Sequence, residues 1–387
     1  MLVKLSSLGD VVHTLPALTD AAAALPGIRF DWVVEEAFAE VPAWHPAVDR
    51  VIPVALRRWR RHPLDTAWLT EWRAVKRALG GLRHDAVIDA QSLLKSAWIA
   101  RYARGPRCGL DWHSAREPLA SAGYDRRFAV ARNLHAVERV RRLFAQALGY
   151  ALPATAQDYG LSRASFAAAY PGNRDAHTQA SRWVDVAQAP LVFLHGSARV
   201  EKCWPEHCWA ELIRLAVAAG ERVLLPWGSE EERARAGRLK TSAGAELVQV
   251  LPRMSLTALA QQVCASSAAV AVDTGLGHLC AALAVPTVSL YGPTQVERVG
   301  TRGAWQRHVC AAPGGSLATI PPAEVWRALG ELRARALSHA PCPGHLSLLS
   351  LRRVAAGFLR HSRGALRARA RLSCVLYPVG GRAARGG

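Results

Sequence analysis

The 387-residue sequence has no long run of apolar residues. Its longest uncharged segments, residues 254–272 and 274–296, are interrupted by glutamine, serine, glycine and proline, so no membrane-spanning helix is predicted. The N-terminal segment reaches an acid at Asp10 without the apolar core that a signal peptide needs. The 8 cysteines show no paired spacing, which predicts reduced thiols and a cytoplasmic location.

Acidic residues are also scarce, since 49 Lys and Arg stand against 30 Asp and Glu and leave a net charge of +19. Residues 337–387 contain nine arginines and no acid, and their mixture of arginine, serine, proline and glycine predicts a disordered tail. The remaining positive charge suits an acidic substrate or an anionic membrane surface. No nucleic-acid-binding motif accompanies it, so nucleic acid is not an expected partner.

Short apolar segments typical of buried strands alternate with helical stretches along the chain. They lie at residues 2–5, 28–34, 85–90, 191–195, 222–226, 246–250, 268–272 and 286–290. This alternation predicts an α/β fold with two Rossmann-like, doubly wound domains facing a central cleft. We place the N-terminal domain at residues 1–160, the C-terminal domain at 161–336 and the tail at 337–387.

The segment AVDTGLGHL follows the fourth predicted strand of the C-terminal domain. Backbone N–H groups at a helix that begins near Thr274 would suit a phosphate, and Gly275, which has no side chain, would allow the phosphate to approach the backbone closely. His278 lies one turn further and can donate to an oxygen. An aspartate that merely caps a structural helix, here Asp273, is the plainer alternative.

Further polar residues follow the first two strands of the same domain. Ser197, Arg199 and Lys202 come after the first strand, where Lys202 is either a charge for a diphosphate or a solvated side chain. The acids of WGSEEER follow the second strand, and they either cap a helix or bind a ribose. A zinc site at Cys203, His207 and Cys208 is not predicted, because this spacing fits no tetrahedral set.

The N-terminal domain offers one acid and a basic segment. Asp10 follows the first strand and is either a helix cap or a general base for a sugar hydroxyl. RRWRRH, residues 57–62, is either a solvated loop or a clamp for an acidic acceptor, and Lys95 and Arg116 would extend that clamp.

Taken together, these motifs resemble the bacterial lipopolysaccharide heptosyltransferases of glycosyltransferase family 9, over about residues 1–330. The likeness rests on VKLSSLGDVVHTLPALTDA, VIDAQSLLKSA, HAVER, KCWPEHCW, LPWGSEEE, VLPRMSL and VDTGLGHL, which occur in the family's order. FDWVVEE and RRWRR favour the type I enzymes over type II. The resemblance implies the GT-B fold and inverting transfer of L-glycero-D-manno-heptose from ADP-heptose to the inner Kdo of lipid A, without a metal or other cofactor.

The resemblance also implies the roles of individual residues. Asp10 corresponds to the catalytic base, and Lys202 to the family's lysine at the diphosphate. The donor site would comprise Ser197, Ala198, Lys202, Glu232 (or Glu230), Met254, Asp273, Thr274, Gly275 and His278, and the acceptor site Arg57, Arg58, Arg60 and Arg116. Ser197-Ala198 replaces a pair of threonines usual in the family, and Ser92 replaces a glycine.

The resemblance further implies a peripheral enzyme at the cytoplasmic face of the inner membrane. Three alternatives remain: a type II heptosyltransferase acting on the first heptose, a nucleotide-sugar epimerase of the same fold, and a basic binding module with an inactive site.

Overall fold

The computed structural model describes residues 1–339, apart from 63, 65, 171–188, 245 and 313. The N-terminal half contains a six-stranded sheet in which every pair is parallel, with the order β3-β2-β1-β4-β5-β6. Its strands are β1 (Leu2–Val3), β2 (Phe30–Glu35), β3 (Val48–Val54), β4 (Val87–Asp89), β5 (Arg107–Leu110) and β6 (Arg126–Phe128).

Helices cover this sheet because parallel strands need crossover connections. They are α1 (Leu8–Val12), α2 (Leu15–Ala24), α3 (Glu40–Ala43), α4 (Leu56–Arg61), α5 (Ala67–Gly80), α6 (Leu94–Ala100) and α7 (Ala136–Leu148). The next helix, α8 (Arg163–Ala169), packs against the C-terminal half, where Arg163 donates hydrogen bonds to the backbone oxygens of Cys264 and Ser266. Helix α1 begins at Leu8, with Ser7 as its N-cap, so only four residues separate it from the end of β1.

The C-terminal half repeats the same strand order in a second parallel sheet, β12-β11-β10-β7-β8-β9. Its strands are β7 (Leu191–Leu194), β8 (Val223–Leu225), β9 (Val248–Val250), β10 (Ala268–Val272), β11 (Thr287–Tyr291) and β12 (Gln306–Cys310). The helices are α9 (Glu206–Ala218), α10 (Glu230–Ala243), α11 (Leu256–Ala265), α12 (Gly275–Ala282), α13 (Val296–Val299) and α14 (Pro322–Ser338).

The eight strands expected from apolar segments are all present, and β3, β5, β6 and β12 are four further strands that the apolar segments did not predict. The proposed division between residues 160 and 161 falls just before α8, and it stays a prediction. Helix α14 continues to Ser338, beyond the expected end of the C-terminal domain at residue 336. The rest of the predicted tail, residues 340–387, lies outside the described residues. In the described part, no helix has the length and hydrophobicity needed to cross a membrane.

Candidate active site

The strand order of each sheet reverses at one point, between β1 and β4 in the first and between β7 and β10 in the second. Ligands of doubly wound sheets bind beyond the carboxyl ends of the strands at such points. A cavity of about 710 Å³ lies there, lined by residues of both halves. The predicted site residues among them are Asp10, Arg57, Lys95, Arg116, Ser197, Ala198, Arg199, Lys202, Asp273, Thr274, Gly275 and His278.

Asp10 lies in the first turn of α1 and faces this cavity. Its Oδ2 accepts hydrogen bonds from the backbone N of Ser7 at 2.9 Å and from Ser7 Oγ at 3.2 Å. Its Oδ1 lies 3.6 Å from Lys4 Nζ, and a third of the side chain is exposed (33%). Burial raises the pKa of Asp10, but Lys4 and the Ser7 hydrogen bonds outweigh it and leave the pKa below its usual value. Asp10 therefore caps α1 and is also an ionised carboxylate within reach of the cavity.

Two glycines bring the halves into contact beside Asp10. A Cβ placed on Gly9 would lie 2.8 Å from Cδ2 of His278, and one placed on Gly275 would lie 2.6 Å from Cβ of Leu8. Both distances are shorter than van der Waals contact allows, so α1 and α12 approach this closely only because both positions lack a side chain. Asp10 is thereby held next to the start of α12.

Helix α12 starts with Thr274 as its N-cap, rather than with Asp273 as a cap. Asp273 has a different task. Its Oδ2 accepts hydrogen bonds from Lys202 Nζ at 2.6 Å and from Thr294 Oγ1 at 2.5 Å, and its backbone oxygen accepts one from Ser197 Oγ at 3.2 Å. Asp273 thus holds the ends of β7, β10 and β11 together and fixes Lys202 at the cavity wall.

Glu232 and Met254 do not line the cavity. Glu232 Oε2 accepts a hydrogen bond from the backbone N of Gly228 at 2.7 Å, and a Cβ on Gly196 would meet Glu232 Oε1. The carboxylate therefore lies against the end of β7, beside Ser197, whereas Glu230 pairs with Arg233 on the protein surface at 3.2 Å. This favours Glu232 over Glu230 as the acid near the donor. Met254 packs at the edge of the main hydrophobic core.

The arginines of α4 point in three directions. Arg57 lines the cavity and lies over the ring of Phe38. Arg58 pairs instead with Glu36 and Glu71 at 3.0 and 2.9 Å, so its guanidinium already has two carboxylate partners. Arg60 lines a separate apolar groove of about 260 Å³ with Leu56, Trp59, Trp68, Trp72 and Trp98.

A second cavity, of about 390 Å³, also contains Asp10 in its wall. We call it the arginine pocket, because its basic residues are Lys4, Arg116, Arg132, Arg139 and Arg298. Within the described part of the chain, these four arginines form no ion pair, and Arg139 Nε has no hydrogen-bond partner. Burial, followed by repulsion from Arg132 and Arg298, lowers the pKa of Arg139. The pocket therefore has an excess of positive charge that no carboxylate in the described residues pairs with, apart from Asp10 beside Lys4.

Four of these basic residues, Lys4, Arg132, Arg139 and Arg298, are not among the site residues predicted from the sequence. Arg139 belongs to the HAVER motif, so the sequence did contain a pattern that could have identified it. Arg132 and Arg298 lie 166 positions apart and meet through a hydrogen bond from Arg298 Nη2 to the Arg132 backbone oxygen at 3.0 Å. No local pattern reveals such a pair.

Comparison with known proteins agrees with the motifs. Residues 72–317 match glycosyltransferase family 9 (heptosyltransferase). Lipopolysaccharide heptosyltransferase 1 of Pseudomonas aeruginosa is 54% identical over 340 residues, which cover 86% of this chain and 91% of that protein. The structure of E. coli heptosyltransferase WaaC with ADP matches with a TM-score of 0.76 and 46% identity, covering 86% of this chain and 98% of that one.

A second WaaC structure, with ADP-2-deoxy-2-fluoro heptose, matches with a TM-score of 0.74 and 46% identity over 85% of this chain and 98% of that one. These likenesses confirm the predicted GT-B fold and the predicted resemblance to type I heptosyltransferases, ahead of the epimerase and binding-module alternatives. The chain belongs to glycosyltransferase family 9, the heptosyltransferases.

Proposed function

We propose that this heptosyltransferase moves L-glycero-D-manno-heptose from ADP-heptose to the inner Kdo of Kdo-bearing lipid A, with inversion at the anomeric carbon. The observation that carries the proposal is the position of Asp10, which lies in the walls of both the cleft and the arginine pocket. A base for an anionic acceptor has to lie between the donor site and the site that binds the anion, and the carboxylate of Asp10 has this position.

The donor would bind at the C-terminal side of the cleft. Lys202 and the N-terminus of α12 provide positive charge for the ADP diphosphate, and Glu232 lies beside Ser197 where a ribose would need an acceptor. Ala198 offers only its backbone. The transfer would need no metal, as the resemblance implies, because Lys202 and α12 can stabilise the charge that grows on the departing ADP.

The acceptor would bind through carboxylates or phosphates in the arginine pocket and near Arg57. Four arginines without a carboxylate partner in the described part of the chain suit an anionic sugar such as Kdo. Since Arg298 comes from the C-terminal half, both halves would hold the acceptor. Asp10 would take the proton from the acceptor hydroxyl as it attacks the heptose, opposite the departing ADP.

We also place the membrane contact at the groove beside Arg60. Trp98 is 43% exposed there, and Leu64, on the connection between α4 and α5, is 94% exposed. Tryptophan with arginine suits the interface of an anionic bilayer. Trp98→Ala should lower co-sedimentation with anionic phospholipid vesicles, whereas Trp112→Ala, at a tryptophan that is 51% exposed elsewhere, should not. Equal binding by wild type and Trp98→Ala would overturn this placement.

The acceptor is tested by ADP release from ADP-heptose in the presence of lipid A with or without Kdo. We expect turnover only with the Kdo-bearing lipid. Arg139→Met should raise the acceptor KM roughly ten- to hundredfold, the effect of losing a hydrogen bond to a charged group. Arg142→Met is the matched control, since Arg142 lies on the same helix but pairs with Glu138 at 2.8 Å. Equal turnover with Kdo-free lipid A would refute the proposed acceptor.

A further inference from the structure

Three buried histidines meet where the two halves touch. His13 ends α1, His278 lies in α12 and His135 is the N-cap of α7, and each is at most 5% exposed. His13 Nε2 lies 3.0 Å from His278 Nδ1, with the two rings perpendicular and 4.3 Å apart. The His135 ring lies 5.5 Å from that of His13. The three rings form one contiguous cluster beside the cleft.

The neighbours of His135 determine which of its nitrogens carries the proton. Its Nδ1 accepts a hydrogen bond from the backbone N of Val137 at 3.2 Å, so that nitrogen is unprotonated. Its Nε2 lies 2.9 Å from the backbone oxygen of Gly300, and a carbonyl can only accept, so Nε2 is protonated. His135 is therefore a neutral ring with a single tautomer, and it places no charge next to His13.

Only one proton can lie between His13 Nε2 and His278 Nδ1 when both rings are neutral. Burial lowers the pKa of His13 well below its usual range and that of His278 to about 4, so both are neutral near pH 7. If His13 donates, His278 keeps its remaining proton on Nε2 and can donate to an anion. If His278 donates, its Nε2 is an unprotonated acceptor that would repel a phosphate oxygen.

We propose that His13 is a positioning residue that holds His278 as the Nε2-protonated tautomer, so that His278 donates to the diphosphate of the donor. The inference rests on the proposed role of His278 in binding ADP-heptose. The geometry leaves His278 no other nitrogen for this purpose, because Nδ1 already faces His13. The edge of the His278 ring lies against Gly9, so it has little room to turn and exchange its two nitrogens.

Two substitutions of His13 separate hydrogen bonding from packing. The side-chain amide of Gln ends near the position of Nε2 and can donate to His278 Nδ1, whereas Met fills the space without donating. We expect His13→Met to lower kcat about tenfold, the effect of one hydrogen bond, and His13→Gln to restore most of it. His45→Met is the matched control, since His45 is a buried histidine (2% exposed) outside the cleft lining.

Nitrogen NMR of histidine-labelled full-length protein reports the tautomer itself. The His278 signals, assigned by comparison with His278→Ala, should show a single Nε2-protonated tautomer in wild type and His13→Gln. In His13→Met they should show the Nδ1-protonated form or a mixture. A merely structural role for His13 would lower thermal stability without moving these signals.

An unchanged His278 tautomer in His13→Met would overturn the proposal, as would equal losses of kcat in His13→Met and His13→Gln. A separate result bears on the donor site. If the tautomer changes in His13→Met but His278→Ala binds ADP-heptose and turns over like wild type, His13 does position His278, and the proposed contact of His278 with the donor is wrong.

Discussion

Replacing Asp10 by Asn tests the chemistry with little change in shape. The amide oxygen can still accept the hydrogen bonds from Ser7 that close the first turn of α1, at 2.9 and 3.2 Å in the wild type. The substitution also removes the charge 3.6 Å from Lys4, whose side chain is only 8% exposed. Lys4 keeps its hydrogen bond to the backbone oxygen of Ala90 at 3.0 Å, and the loss of one contact between charged groups costs about 1.5–3 kcal/mol. Since folded proteins are stable by about 5–15 kcal/mol, Asp10→Asn should remain folded.

The effect on catalysis should be much larger. An amide cannot take the proton from the acceptor hydroxyl, so turnover should fall roughly 10²- to 10⁴-fold. At about 1.4 kcal/mol for each factor of ten, this is about 3–6 kcal/mol of activation free energy. A residue that only caps α1 would change the free energy of unfolding but not the activation barrier of the folded enzyme, which distinguishes a base from a cap.

The assay is ADP release by the purified variant with saturating ADP-heptose and acceptor, together with ADP affinity by calorimetry. Asp158→Asn is the control, since Asp158 caps a turn through Gly160 at 2.9 Å and does not line the cleft. Turnover of Asp10→Asn within a few-fold of wild type would show that Asp10 is only a cap and that the base lies elsewhere.

The pH dependence of Asp10 gives a second check. Because its pKa lies below the usual value, Asp10 stabilises the fold at pH values above its unfolded pKa of about 3.9, and this contribution disappears as the pH falls through the lowered folded pKa. The same ionisation predicts that the acid limb of kcat/KM due to Asp10 lies below about pH 4. An acid limb near pH 6 that Asp10→Asn abolishes would contradict this argument.

Other substitutions test the donor site, the backbone and the contact between halves. Lys202→Ala should weaken ADP binding roughly ten- to hundredfold in calorimetry, and unchanged affinity would exclude Lys202 from the site. Ser92→Gly should raise the free energy of unfolding by about 1 kcal/mol, because Ser92 has a left-handed φ of 55°; an unchanged or lower thermal melting temperature would refute this strain. Gly9→Ala should reduce kcat by a factor of about 10² through displacement of His278, whereas Gly237→Ala, where a Cβ meets nothing within 4 Å, should leave kcat unchanged. Equal kcat in both would refute the role of the contact.

The sequence predicts the central strands well because their signal is strong. β7, β10 and β11 are buried along their whole length, and a strand covered on both faces reads as a continuous apolar run. β6 and β12 lie at sheet edges, have the sequences RRF and QRHVC, and contain a single buried residue between them, Val309. Such strands lack the apolar run, so hydrophobicity alone does not reveal them.

The candidate site also has one part that the sequence predicts and another part that it does not. Lys202 and Thr274 follow β7 and β10 of the second sheet and meet because the carboxyl ends of its parallel strands share one edge, which the sequence already implies. Asp10 follows β1 of the first sheet and meets them across the cleft between the two halves. Arg58 was predicted to bind the acceptor, but it pairs with Glu36, 22 positions earlier, and that contact depends on how α4 packs beside β2. The same holds for Arg139 and Arg298, which lie on different helices from different halves.

The predicted part of the site is also the part that the backbone determines most firmly. Gly9 and Gly275 follow β1 and β10, and their contact joins the two switch points through main-chain atoms rather than long side chains. The position of Asp10 relative to the start of α12 therefore depends on backbone packing, which tolerates little displacement. The arginines of the proposed acceptor site lie on long, flexible side chains instead. In the proposed reaction, backbone packing would therefore align the base with the donor diphosphate, and the flexible arginines would adapt to the anionic acceptor, which suits a rate that depends on the alignment of donor and base.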